Sequence, residues 1–353
     1  MLKSFRYLLF PFALVYWMVI WVRNRLFDLK ILKSSRFNFP IICIGNLALG
    51  GTGKTPMTEW IVSHFKDKYK IAILSRGYKR RTKGFAIANE KSTALEIGDE
   101  PMQFFQKFKD VTVSVGEERL VAIPQILYQR PETELIILDD AMQHRRVEAG
   151  YTIMLTEYAN LYTRDLIFPC GDLRDIKSGA KRADCIIVTK CPKDLSEKMA
   201  HEIAEEVRVN EEQKIFFSSL QYGVPYHLST GNLKEIQATD DVLLVCGIAN
   251  PLSLKNHLEN KVHFYEMYQF KDHHIYTSGD LVEIKKKFAR FAEGNQSKII
   301  ITTEKDAVRL LKFKDELQSL PIYVIPVSHF FLFNQEEELK NEISDFVHQF
   351  GKK

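Results

Sequence analysis

The stretch IGNLALGGTGKTP (44–56) gathers three glycines, a lysine and two threonines within six residues. Glycines at 50, 51 and 53 let the backbone of Ala48, Leu49, Gly50, Gly51, Thr52 and Gly53 turn its N–H groups onto a polyphosphate, and a helix beginning at Lys54 presents its amino terminus to the same anion. Lys54 would then reach the β- and γ-phosphates, and the Thr55 hydroxyl would coordinate Mg²⁺. The GxxxxGK[ST] pattern is met only from Gly53 onward, because Ala48 stands at its first glycine. A P-loop needs a second contact to the metal from a buried strand end. LIILDD (135–140) supplies one: Asp139 and Asp140 close an apolar run, where adjacent carboxylates are costly unless a cation neutralises them. Without the P-loop upstream the pair would read as an ordinary helix start. VTKCPKD (188–194) matches a guanine-reading Asn-Lys-x-Asp element only superficially, with Thr189 for the Asn and Pro192 for the Asp, so ATP is favoured over GTP.

These residues need a scaffold that brings strand ends together. From Phe39 onward short apolar runs alternate with helical patterns: PIICIGN, a helix from Lys54, KIAILS, a helix after Asp99, VTVSVG, a helix to about Tyr128, then ELIILDD. That rhythm predicts a parallel sheet with crossover helices, continued by YTIMLT and DCIIVTK. Tyr158 to Lys181 has no period and carries Gly, Pro and charge, as functional loops do. A second round begins at VLLVCGIANP, runs through KIIITTEKD and reaches LPIYVIPV. The expected architecture is α/β: a P-loop kinase-like parallel-sheet core over 37–222, a smaller α/β lobe over 223–353, and an amino-terminal apolar membrane-associating helix in 1–36.

The chain has 353 residues and a net charge of +4, too small an excess to argue for nucleic acid. Cys43, Cys170, Cys185, Cys191 and Cys246 form no CxxC pair and read as reduced core residues, neither a disulfide framework nor a zinc site. The outlier is the amino terminus. An uncharged apolar run from Tyr7 to Val22 follows Lys3 and Arg6 and precedes Arg23, Arg25, Lys30, Lys33 and Arg36. It is short for a span and carries Pro11, and no small-x-small cleavage site follows it. An interfacial anchor, with Tyr16, Trp17 and Trp21 at the lipid boundary and the basic flanks at anionic headgroups, is the preferred reading over a spanning or a buried helix.

Further motifs narrow the acceptor. GNLALGGTGKTP (45–56), SRGYKRR (75–81), GDEP (98–101), LDDAMQHRR (138–146), FPCGDLRD (168–175), DHH (272–274) and TTEKDAVRL (302–310), in this order, resemble the tetraacyldisaccharide 4'-kinase family of lipid A biosynthesis over nearly the whole chain. The resemblance implies transfer of the ATP γ-phosphate to the 4'-hydroxyl of a tetraacyldisaccharide 1-phosphate. It further implies work at the cytoplasmic face of the inner membrane of a Gram-negative bacterium, as a peripheral or monotopic protein.

By motif, the resemblance makes Asp99 the catalytic base and His273 its partner, assembled when two lobes close. On composition alone Asp99 is a helix cap and His273 a loop histidine. Glu100 is expected to assist Mg²⁺ or the acceptor; Gln143 and His144 to face the γ-phosphate or the metal shell; Arg174 to neutralise transition-state charge. Arg76, Arg80 and Arg81, with Lys79, are candidates for the acceptor's 1-phosphate or lipid headgroups, and otherwise an ordinary solvated loop. Thr303, Glu304, Lys305 and Asp306 fit a family motif expected to stabilise the lobe interface. Ala141-Met142 replace the commoner Gly-Phe, Asp172 a proline and Asp175 a glutamate, which puts a nucleotide contact at 175 in doubt. The rival reading is a membrane-associated P-loop ATPase switch acting on a protein partner; its KGGxGKT variant has a lysine where this chain has Leu49.

Overall fold

The computed structural model describes residues 6–291 and 297–350, so Lys3 lies outside the described residues. A nine-stranded sheet has the order Val327–Phe331, Lys214–Tyr222, Cys185–Thr189, Tyr151–Glu157, Ile41–Asn46, Leu135–Asp139, Ile71–Ser75, Thr112–Val115, Ala86–Ile87. All neighbours are parallel except at the two edges. Helices cover both faces, which is why the central strands read as continuous apolar runs. Alternation sends Ile41, Cys43, Ile136 and Leu138 into one core and Ile42, Ile44, Leu135 and Ile137 into the other. The parallel strands all end at one rim, where Asn46, Ser75, Asp139 and Thr189 meet, the edge at which open α/β sheets bind ligands.

A five-stranded sheet follows, ordered Tyr226–His227, Ile322–Ile325, Lys298–Thr303, Asp241–Cys246, Phe264–Gln269, with its own two cores. The expected extent of the smaller lobe, 223–353, needs correction. After Pro326 the chain crosses back: Val327–Phe331 pairs antiparallel with Lys214–Tyr222, Ser218 opposite Phe331, and helix Glu336–His348 buries Leu339, Ile343, Phe346 and Val347 in the first sheet's core. The alternation of Phe331 inward with Phe330 outward marks that strand as an edge, a signal that sequence order alone assigned to the wrong sheet.

The apolar amino terminus forms the helix Phe10–Asp28, with Pro11 in the first turn where its missing N–H is harmless, so the proline does not break it. The helix is held by polar contacts: Arg6 to Asp172 at 2.9 Å, Tyr16 Oη donating to the Arg174 carbonyl at 3.0 Å, Arg23 to the Gln143 carbonyl at 2.7 Å, and Asn24 Nδ2 to Asp175 Oδ1 at 2.7 Å. Of its residues only Ala13, Asn24 and Phe27 are buried, leaving Phe12, Val15, Trp17, Met18, Val19 and Trp21 uncovered. By length and composition it is apolar enough to cross a membrane.

Candidate active site

Strand Ile41–Asn46 runs into the loop, and helix Lys54–Phe65 leaves it. Gly50 and Gly53 have φ of +103° and +92°; Gly51 does not need the left-handed region it was expected to use. Asn46, the polar end of the strand, organises the rest. Its Nδ2 donates to Thr52 Oγ1 at 3.0 Å, and its Oδ1 accepts from Lys54 at 3.3 Å and Arg174 at 2.6 Å. The unpatterned loop 158–181 lies beside the P-loop, with Leu49 N–H donating to the Asp172 carbonyl at 2.6 Å and Arg174 N–H to the Leu47 carbonyl at 2.8 Å.

The two aspartates differ. Asp139 is buried and accepts from Ser75 Oγ at 2.8 Å and Thr58 Oγ1 at 3.3 Å; burial, then the neighbouring Asp140, pushes its carboxyl up. For Asp140, burial disfavours the charge, yet Lys54 at 3.7 Å and the Arg174 guanidinium hold it below the usual carboxylate range. Glu100 is pushed up to about 7 by burial and then by Asp139, with Lys305 and Lys54 opposing. The three carboxyls share this rim with the cations Lys54, Arg174 and Lys305. Among the described residues no group of three ligand-type side chains is gathered closely enough to hold a metal unaided. That fits Mg²⁺, which takes one or two protein ligands and completes its shell with phosphate oxygens and water. Thr55, half-buried in the first helical turn, is placed for it.

Asp99, the first residue of helix Asp99–Lys107, and His273, in the loop after strand Phe264–Gln269 of the smaller lobe, meet: His273 Nδ1 lies 3.1 Å from Asp99 Oδ2. Two cations complete the cluster: Lys305, for which only an interface role was expected, and Arg309, which the sequence did not single out. Arg309 donates to Asp99 Oδ2 at 2.6 Å, and Lys305 Nζ lies 3.1 Å from His273 Nε2. Arg309 also lies 3.1 Å from His273 Nδ1, so the ring stands between two cations and the Asp99 carboxylate. Burial opposes the Asp99 charge, but hydrogen bonds from His273 and Arg309 outweigh it and hold the carboxyl at about 2. Lys305 and Arg309 stand four apart on helix Glu304–Leu310 and share a face, a spacing visible in TTEKDAVRL. The same motif caps that helix through Thr303, ties Asp306 to the Gly247 N–H at 3.0 Å, and sends Glu304 to Lys107 at 2.7 Å, which also holds Glu59 at 2.6 Å across the lobe boundary.

Other expectations change. Gln143 donates to the Asn46 carbonyl at 2.7 Å, bracing the P-loop strand. His144 lines a cavity of about 400 Å³ with Cys43, Met142, Arg145 and Arg182, and lies close enough to Asp140 to help hold its carboxyl down. Arg80 is not free for an acceptor phosphate: its side chain is 2% exposed and bonded to Glu117 at 2.7 Å and to the Gly84 carbonyl. Arg76 and Arg81 remain exposed. Asp175 accepts from Asn24 and from Arg182 at 2.7 Å, which turns it away from any nucleotide.

Comparison with known proteins shows the family. The model of the tetraacyldisaccharide-1-P 4'-kinase family matches residues 5–348. A tetraacyldisaccharide 4'-kinase of Flavobacterium johnsoniae is 44% identical over 335 residues, covering 94% of each chain, and one of Phocaeicola vulgatus is 41% identical over 347 residues, covering 96% of this chain and 94% of that one. The crystal structure of an "apo" form LpxK from Aquifex aeolicus in complex with ATP superposes with a TM-score of 0.75 at 26% identity, over 98% of this chain and 100% of that one. With a P-loop, paired strand-end aspartates and a cross-lobe Asp–His contact in place, this chain belongs to the tetraacyldisaccharide 4'-kinase family, the ATP-dependent kinases of lipid A biosynthesis.

Proposed function

We propose that this chain transfers the γ-phosphate of ATP to the 4'-hydroxyl of tetraacyldisaccharide 1-phosphate with Asp99 as the proton acceptor. The observation that carries the assignment is the 3.1 Å contact between His273 and Asp99, which joins the two lobes one residue away from Glu100 and its neighbour Asp139. The backbone amides of the loop after Leu49, whose own N–H is taken by the Asp172 carbonyl, bind the polyphosphate together with Lys54. Mg²⁺ would be held by Thr55 and the Asp139–Asp140 pair, with Glu100 beside them, and would supply charge neutralisation on the phosphate oxygens.

Asp99 Oδ2 is taken by His273 and Arg309, so Oδ1 is the oxygen left to meet the acceptor hydroxyl. A carboxylate held at about 2 is a weak base toward a free alcohol, so the proton moves as the new P–O bond forms and the hydroxyl grows acidic. The bond from the γ-phosphorus to the bridging oxygen breaks, and ADP leaves with that electron pair. Arg174, shared between Asp140 and Asn46, stabilises the charge that develops there. Because Asp99 and His273 lie on different lobes, water meets an incomplete site when the lobes part.

The acceptor brings four acyl chains, and the uncovered apolar face of helix Phe10–Asp28 with its basic flanks suits a bilayer surface, at the cytoplasmic face of a Gram-negative inner membrane. Arg76 and Arg81 are the exposed cations for the 1-phosphate or headgroups. The ATPase-switch alternative gives no purpose to the Asp99–His273–Lys305 cluster. The test is transfer from γ-labelled ATP with Mg²⁺ and the lipid in mixed micelles, resolved by thin-layer chromatography. Label in the lipid, lost in folded Asp99→Asn, is expected; label in free phosphate alone would overturn the assignment.

A further inference from the structure

A phosphate-binding loop turns its amides inward, so its carbonyls must be held outward by donors behind it. Behind this loop stand two side chains. Thr189, at the end of strand Cys185–Thr189, donates from Oγ1 to the Thr52 carbonyl at 2.8 Å. His329, on the strand that returns from the smaller lobe, has Nε2 3.0 Å from the Gly53 carbonyl and Nδ1 2.9 Å from Ser218 Oγ. A carbonyl only accepts, so Nε2 carries the proton, and Ser218 donates to Nδ1. The ring is buried, at 4% exposure, and burial pushes it down to about 4, so it stays neutral at working pH. It packs on the loop as well: a Cβ at Gly53 would come within 3.0 Å of Nε2. Gly53's carbonyl also closes the first helical turn by accepting from Met57 N–H at 3.0 Å, so fixing it fixes where Lys54 and Thr55 begin.

We propose that His329 and Thr189 are positioning residues that hold the P-loop carbonyls outward and thereby set the affinity for the nucleotide polyphosphate. The proposal rests on the reading of this loop as an ATP site. It makes nucleotide affinity depend on a residue 276 positions downstream, on a strand reached only after the whole smaller lobe has been traversed.

The experiment measures MgATP binding by calorimetry on the full chain in detergent micelles without lipid, beside thermal unfolding without nucleotide. Wild type, Lys54→Ala, His329→Leu, His329→Gln and Thr189→Val are compared. Loss of one buried donor should weaken MgATP about 10-fold in His329→Leu and in Thr189→Val, while His329→Gln, which keeps a donor at similar reach, stays within about 3-fold of wild type. If His329→Leu does not fold, Thr189→Val, nearly isosteric, carries the test. Affinity within about 2-fold of wild type in the folded donor-less variants, or His329→Gln as weak as His329→Leu, overturns the proposal. Failure of wild type to bind MgATP, or undiminished binding by Lys54→Ala, overturns instead the ATP-site reading beneath it.

Discussion

Replacing Lys305 by Met separates positioning of the acid–base pair from nucleotide binding. Lys305 makes two contacts, to His273 Nε2 at 3.1 Å and to Asp272 Oδ1 at 3.5 Å. The second is an exposed ion pair, with Asp272 38% accessible, worth about 0–1 kcal/mol. The first is a charge-assisted hydrogen bond of about 1.5–3 kcal/mol that holds the imidazole in place beside Asp99. If that orientation is needed in the transition state, its loss lowers kcat about 10- to 100-fold. The KM for ATP should stay within about 2-fold, because the cluster is built on Asp99 and not on the P-loop. Asp272→Asn removes only the weak pair and should cost less than about 3-fold, and Lys305→Arg, which still donates, should recover part of the rate. Initial rates of label transfer into lipid at varied ATP and acceptor measure all of this. Were the ATP KM of Lys305→Met to rise in step with the fall in kcat, Lys305 would be a nucleotide ligand. Unchanged kcat would refute a positioning role for Lys305 outright.

Three other expectations follow from burial and charge. Arg80→Gln, which breaks a buried guanidinium contact, should lower stability by about 1–3 kcal/mol in urea titrations with the lipid KM unchanged, whereas Arg76→Gln and Arg81→Gln should do the reverse. Glu59 shares one cation, Lys107, with Glu304, and burial followed by the Glu304 charge pushes it up to about 7. A carboxyl raised in the folded state favours folding while protonated, so its contribution is complete below about 4.5 and disappears as pH rises through about 7. Glu59→Gln should therefore gain stability over wild type at pH 8 relative to pH 5, and an equal difference at both would contradict the assignment. Trp17→Ser with Trp21→Ser, on the uncovered helix face, should reduce co-sedimentation with anionic vesicles and raise the lipid KM while leaving MgATP binding intact; undiminished co-sedimentation would argue against the interfacial reading.

The strand–loop–helix at 41–65, the paired aspartates and the alternation of strands with helices were legible because each is a local pattern, fixed by periodicity or by a turn that only glycine makes. The boundary at 223–353 was not legible, because local pattern carries no information about which sheet a strand joins. Val327–Phe331 looks the same in sequence whether it extends the five-stranded sheet or closes the edge of the other. Arg80 was misread for a related reason. A run of four basic residues looks solvated, and only the fold reveals that the loop turns Arg80 back onto Glu117.

The residues that sequence reasoning passed over share one property: each acts on another side chain or on backbone, not on a substrate. Lys305 and Arg309 were within a quoted motif, and their i, i+4 spacing puts them on one face, yet no spacing rule says that this face meets DHH from 272–274. Asn46 ends an apolar strand, where a lone amide is unremarkable until Lys54 and Arg174 are found converging on it from 8 and 128 residues away. Chemistry that touches the phosphate demands particular residue types and so leaves a motif. Support for that chemistry demands only a donor at the right distance, which Thr, His, Lys or Arg can each supply, and so it is written in the fold and not in the string.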